Sequence, residues 1–128
     1  MILGIDLGKK TTGMAISSGQ IASPLKTVTH KSTSEAIEKI SSICSQESIN
    51  TVVLGFVEGK IKSLFLDFAN KFKARNPTIE IVMVDETFTS RQAQDSMIKL
   101  QIPKNKRRAK EHEMAACLIL QSYLEEHQ

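Results

Sequence analysis

The chain has 128 residues, of which 41% are hydrophobic and 24% charged, and it carries a formal net charge of +3. This is chain enough for one domain with one core, expected to span residues 1–128, and its composition is that of an ordinary globular protein. No run reaches the roughly 18 apolar residues that a membrane helix needs, and a net charge of +3 does not by itself demand nucleic acid as a partner.

The first residues, Met1-Ile2-Leu3-Gly4-Ile5, reach Asp6 with no basic stretch before them. They read as a first strand over 2–7 rather than as a secretory leader, and the expected location is the cytoplasm. Residues 8–13 form a turn, 13–17 a second strand, and 21–28 a third in which Pro24 calls for an edge position or a bulge. Ser32-Thr33-Ser34-Glu35 has the form of a capping box, and Ile37, Ile40, Ile43 and Cys44 follow at helical spacing. Residues 51–56 are a continuous apolar run, as in a buried parallel strand. Ile61, Leu64, Phe65, Phe68, Ala69 and Phe72 make an amphipathic helix that Asn76-Pro77 stops. A strand over 79–84 follows, and then a helix that opens at the Thr89/Gln92 capping pattern and stops at Pro103. The last helix, from about 109 to 125, is apolar nearly all round between Met114 and Leu120, which predicts burial. The order βββαβαβαα predicts an α/β fold with a mixed sheet: a three-stranded antiparallel meander plus parallel strands, flanked by helices. Cys44 and Cys117 sit in apolar helical patterns and read as buried free thiols. With three histidines they show no zinc-type spacing.

Two strands end in acids: Asp6 closes the first, and Asp85-Glu86 the strand over 79–84. Sites in open α/β sheets lie at the C-terminal ends of parallel strands. Two carboxylates brought together there repel each other unless a cation lies between them, so Asp6 and Glu86 point to a hard divalent ion and to phosphate chemistry. Strand alternation sends Asp85 to the face opposite Glu86. Glu111, His112 and Glu113 open the last helix, and His112 there could be a metal ligand, a general acid or base, or a group that positions water. Glu58, after the central strand, is a fourth acid near this sheet edge. Lys104, Lys106, Arg107, Arg108 and Lys110 form a basic cluster, and Lys9 and Lys10 follow the first acid. Such patches hold phosphate without reading sequence. Lys10, Thr11 and Thr12 could contact phosphate or be exposed hairpin residues.

Together these motifs resemble the YqgF/RuvX family. Ile5 to Ser17 resembles the family's opening Ile-Asp-x-Gly-x-Lys-x-x-Gly-x-Ala-x-Ser. Residues 84–90 are similar to its Asp-Glu-Arg-Phe/Leu-Thr-Ser/Thr segment, and residues 115–124 to its closing Ala-Ala-x-Leu-Ile-Leu-Gln-Ser-Tyr-Leu. Ser23-Pro24-Leu25 and the cluster at Lys106-Arg107-Arg108 also fall where the family has counterparts. The resemblance covers nearly the whole chain and implies an RNase H-like five-stranded fold related to the resolvase RuvC. It implies a nuclease that processes the 5′ end of pre-16S rRNA in ribosome biogenesis, with Holliday-junction resolution in recombination and repair as the alternative. Carried over, Asp6 and Glu86 are catalytic, metal-binding acids.

The family's third acid, usually Asp, falls at His112. That exchange replaces two oxygens with one nitrogen donor, which Mn2+ tolerates better than Mg2+. Thr87 stands where the family has Arg, and the Gly55-to-Gly59 loop is a shortened form of the family's loop. The expected cofactor is Mg2+ or Mn2+. The expected partner is nucleic acid, pre-rRNA or branched DNA, with ribosome precursors in the first case, and the protein a monomer or homodimer. Two further readings stay open: a nucleic-acid-binding module that His112 has deprived of catalysis, and an actin-like ATPase domain, against which the length argues.

Overall fold

Alternation along the first two strands sets the architecture. The structure is a computed structural model that describes residues 1–56, 62–85 and 111–127. In β1 (Ile2–Leu7), Leu3, Ile5 and Leu7 face one way, while Gly4 and Asp6 face the other. In β2 (Thr11–Ser17), Met14 joins the large residues and Ala15 the small ones. The two strands pair antiparallel, with Gly4 opposite Ala15 and Asp6 opposite Gly13. One face of the sheet is thus paved with bulk and the other with glycine and alanine.

Among the described residues the strands make one five-stranded sheet of order β3-β2-β1-β4-β5. β3 (Ser23–Thr29) pairs antiparallel with β2, while β4 (Thr51–Phe56) and β5 (Glu80–Asp85) run parallel to β1. This is the mixed sheet that the element order predicts. The bulky face packs against α1 (Thr33–Gln46) and α2 (Lys62–Arg75), whose Ile37, Ile40, Phe65, Phe68 and Phe72 join Leu3, Ile5, Val52 and Leu54 in one core. The small-residue face packs against the last described helix, α3 (Glu111–Glu126), whose Ala116, Cys117, Ile119 and Leu120 meet Ala15 and Val53. Cys44 and Cys117 are buried free thiols, and burial pushes them up to about 11 and about 12 respectively, with Glu113 adding to the second.

Boundaries follow local chemistry. Ser32 caps α1, its Oγ accepting from the Glu35 N–H at 3.1 Å. The reciprocal arm closes one residue upstream of the usual box, where Glu35 accepts from the Lys31 N–H at 2.9 Å. α2 ends where the Asn76 side chain donates both to Phe72 O and to Ser41 Oγ of α1. Pro24 lies on an edge strand, and the β2–β3 register shifts beside it, between Met14 and Ala15. β2 starts two residues earlier than its alternation suggests, because Thr11 already pairs with Thr29. β3 and β5 start later than expected, at Ser23 and Glu80. The helix expected from Thr89 lies outside the described residues.

Thr12 overturns its reading as a phosphate contact. It is fully buried, on the same face as Leu7, and its Oγ1 lies 2.8 Å from Nε2 of buried His30. His30 Nδ1 has no hydrogen-bond partner among the described residues. Burial holds the imidazole below its ordinary value, Glu35 opposes that shift and Lys39 reinforces it. The unfolded chain protonates His30 near pH 6.5, whereas the folded protein resists protonation until lower pH. The stability contributed by the neutral ring is therefore complete above about pH 6.5 and is lost as pH falls toward the folded value. Urea unfolding between about pH 7.5 and 5 should show a midpoint that falls with pH. His30→Gln, which cannot titrate, should flatten that fall, and an unchanged slope would contradict the assignment.

Candidate active site

Because β1, β4 and β5 are parallel, their C-terminal ends at Leu7, Phe56 and Asp85 lie at one end of the sheet. Asp6 sits there on the α3 face, with Gly13 beside it on β2 and Gly55 beside it on β4. Neither neighbour carries a side chain, so the carboxylate stands in a gap and keeps 20% of its surface exposed.

The N-terminus of α3 comes to the same end because glycine lets it. A Cβ on Gly13 would fall 2.2 Å from the carbonyl carbon and oxygen of His112 and 2.7 Å from its Cβ. A Cβ on Gly4 would fall 2.7 Å from Leu120 Cβ and 2.9 Å from Ala116 O. His112, Ala116 and Leu120 are spaced four apart and form one stripe of α3, so the helix lies along the two glycines. At the near end of this stripe His112 Nδ1 reaches 3.4 Å from Asp6 Oδ2. That separation is long for a hydrogen bond, and the imidazole is 48% exposed. The pair therefore contributes little to stability, and it presents one carboxylate and one imidazole to a shared opening.

The neighbouring acids are excluded by where they point. Glu113 is buried and accepts from Thr27 Oγ1 of β3 at 2.9 Å, while Glu111 is exposed. One helix residue is about 100° of turn, and that rotation separates both from the direction of His112. Asp85 shares the strand parity of Ile81 and Met83, which pack on the bulky face, whereas Val84, level with Asp6, packs on the α3 face. Lys10 is exposed in the β1–β2 turn at the same end, and its carbonyl accepts from the His30 N–H at 2.8 Å. Glu58, Glu86, Thr87, Lys104, Lys106, Arg107, Arg108 and Lys110 lie outside the described residues.

The structure thus brings together Asp6 and His112, 106 positions apart in the chain, with Lys10 at the same end. Among the described residues no group of three or more His, Cys, Asp or Glu could hold a metal ion. Any cation site needs a further donor beyond Asp6 and His112. Motif reading did not single out Gly13 as the seat of α3, although a glycine paired with the site acid is the available signal.

The family model described as RuvX, Holliday junction resolvase, matches residues 1–126. Proteins of Staphylococcus aureus strains JH9 and Mu50, each named "Putative pre-16S rRNA nuclease", are 32% identical over 134 aligned positions, covering 97% of this chain and 94% of theirs. Among solved structures, T. thermophilus RuvC in complex with a Holliday junction substrate superposes with a TM-score of 0.67 at 10% identity, covering 98% of this chain and 94% of that one. The fowlpox virus Holliday junction resolvase gives 0.63 at 15% identity, covering 99% of each chain. The fold is therefore the RNase H-like fold of RuvC-type resolvases.

Gly13→Ala should force the first turn of α3 away from the sheet. Overpacking against backbone costs about 1–3 kcal/mol, to be read as a lowered urea midpoint. Ser48→Gly, at a positive-φ position (φ 56°) between α1 and β4, should not disturb the α3 seat. The ring of His112 should respond in NMR spectra to the first substitution and not to the second.

Proposed function

Because the chain belongs to the RuvX family, we propose that it is a metal-dependent endonuclease that hydrolyses phosphodiester bonds in structured nucleic acid, at the 5′ end of pre-16S rRNA. The observation that carries this reading is the convergence of Asp6 and His112 at the end of the parallel strands. The names of the relatives support rRNA as the substrate.

Asp6 and His112, with Glu86 as third donor, would hold one or two divalent ions. Asp85 faces away from Asp6, and strand alternation supports Glu86 as the acid of that pair for the site. One carboxylate and one imidazole fit Mn2+ better than Mg2+. Such an ion, when bound, supplies an activated water and stabilises the leaving oxygen. The chain's own groups do the rest. Asp6, uncrowded between two glycines, accepts donors along its open side. His112 completes the metal site or, where it is not a ligand, handles a proton: with Nδ1 toward Asp6, its Nε2 can then take a proton from the attacking water and return it to the leaving oxygen. Lys10 and the cluster Lys104, Lys106, Arg107, Arg108 and Lys110 hold flanking phosphates, contacts that position the substrate without reading its sequence.

This activity belongs on ribosome precursors in the cytoplasm, and no described helix is long and apolar enough to cross a membrane. A monomer suffices for an rRNA end, whereas a two-fold junction calls for a homodimer. The replacement of an acid by His112 favours a second reading, a nucleic-acid-binding module that no longer cuts.

Purified protein should cleave a pre-16S 5′ fragment in preference to a four-way DNA junction, and faster in Mn2+ than in Mg2+. Asp6→Asn should abolish the product without unfolding the protein. Preference for the junction would move the function to recombination. A silent wild type that His112→Asp activates would establish the binding module instead.

A further inference from the structure

Beside the Asp6–His112 centre, the β3 side of the sheet carries a second concentration of charge. Lys9 and Lys10 are exposed in the β1–β2 turn. The His30 N–H bond to Lys10 O holds the segment after β3 against that turn, which places exposed Lys31 next to it. Lys26 is exposed on β3, opposite Met14. Lys39 of α1 donates to Thr29 O and pairs with Glu35 at 3.1 Å, so the acid of this corner already has its cation. Lys9, Lys10 and Lys26 have no carboxylate partner among the described residues, and Lys31 is exposed with its charge and backbone N–H beside Glu35, which Lys39 already pairs.

These lysines border a groove. β3 is the outer strand, so one side of its backbone is unpaired by the sheet. Between it and α1 lies a cavity of about 420 Å3 whose polar lining includes Lys26, Thr29, Lys39, Ser42 and Gln46. The lining offers ammonium, hydroxyl and amide groups beside apolar Val28 and Ile43, and no aromatic ring. Its lysines and hydrogen-bonding groups suit an anionic backbone, and it offers no ring on which a base could stack. Lys26 and Lys31 are five residues apart, at most about 17 Å along an extended strand. Stacked nucleotides rise about 3.4 Å each on one strand, so this span accommodates at most about five of them.

We infer that one strand of the substrate leaves the Asp6–His112 centre over the Lys9–Lys10 turn, passes Lys31, and lays its sugar–phosphate backbone in the groove between β3 and α1. The inference rests on the nuclease reading and adds to it the path of the strand. Binding along this path is electrostatic and indifferent to sequence.

The test is fluorescence anisotropy of a labelled RNA strand and a DNA strand of the same sequence, titrated with the full protein over a range of salt. In the double variant Lys26→Gln, Lys31→Gln the affinity should fall several-fold. The slope of log affinity against log salt should shrink by about 0.7 for each lost contact on a single strand. Loss with either strand supports the path and identifies the strand that follows it. Lys71→Gln, which removes an exposed i,i+4 pair with Asp67 on α2, should leave the slope unchanged. Bound strand should also protect Lys26 and Lys31 from acetylation. If the wild type binds but the double variant keeps its affinity and slope, the path is wrong and the nuclease reading stands. If the wild type binds neither strand, the path falls, while the nuclease reading is decided by the cleavage assay alone.

Discussion

Everything at the candidate site depends on how closely α3 can approach the sheet. Helix and sheet normally keep a layer of side chains between them. Here Gly4 and Gly13 remove that layer along one stripe, so the backbone of α3 rests where a Cβ would otherwise stand. Close packing is intolerant of even one extra methyl against backbone, which makes the seat specific in position as well as in depth. Because the stripe runs through His112, Ala116 and Leu120, the same contact that buries the helix also delivers the imidazole to Asp6. Packing and site construction are one interaction viewed from two ends.

The polar groups of α3 lock this arrangement in rotation. Gln121 accepts from the Ala22 N–H at 2.8 Å and donates to Gln20 O at 3.3 Å, tying the middle of the helix to the β2–β3 connection. Glu113 is tied to Thr27 on β3. A buried amide and a buried carboxylate are costly unless bonded, so the helix cannot turn about its axis without stranding them. Fixing Glu113 toward β3 also settles which residue of the first turn can face Asp6. His112 occupies that direction because its neighbour has a structural role.

The exchange of an acid for an imidazole changes what the site can do electrostatically. Two carboxylates at that separation would need a cation to coexist, whereas a carboxylate and an imidazole do not repel each other. On the proposed reading the site would therefore depend less on a cation for its stability than an all-acid site would. On the same reading, Lys9 and Lys10 at the same end would attract phosphate independently of any bound ion, so affinity for substrate and affinity for metal would be separable.

Much of the fold is legible in local pattern. The runs forming β1 and β4, the Ser32 cap and the Asn76-Pro77 stop each rest on interactions within a few residues, and each is found where it reads. Asp6 is likewise visible as an acid at a strand end. What one strand or helix cannot disclose is which face it turns to which partner. Thr12 reads as an exposed hairpin residue until β3 brings His30 to it, because burial there depends on a strand 18 positions away. Glu113 and His112 are adjacent and equally polar, and only the packing of α3 across β1, β2 and β3 turns one to Thr27 and the other to Asp6. Lys26 and Lys31 look like scattered surface charge until β3 takes the edge of the sheet beside α1. The sequence by itself determined the element types, the strand-end acid and the family to which the chain belongs, since these follow from short-range periodicity and motif order. The resemblance already set Asp6 and His112 in one site, and tertiary structure decided their contact geometry and the faces of the residues around them, because these arise from contacts between segments that share no local signal.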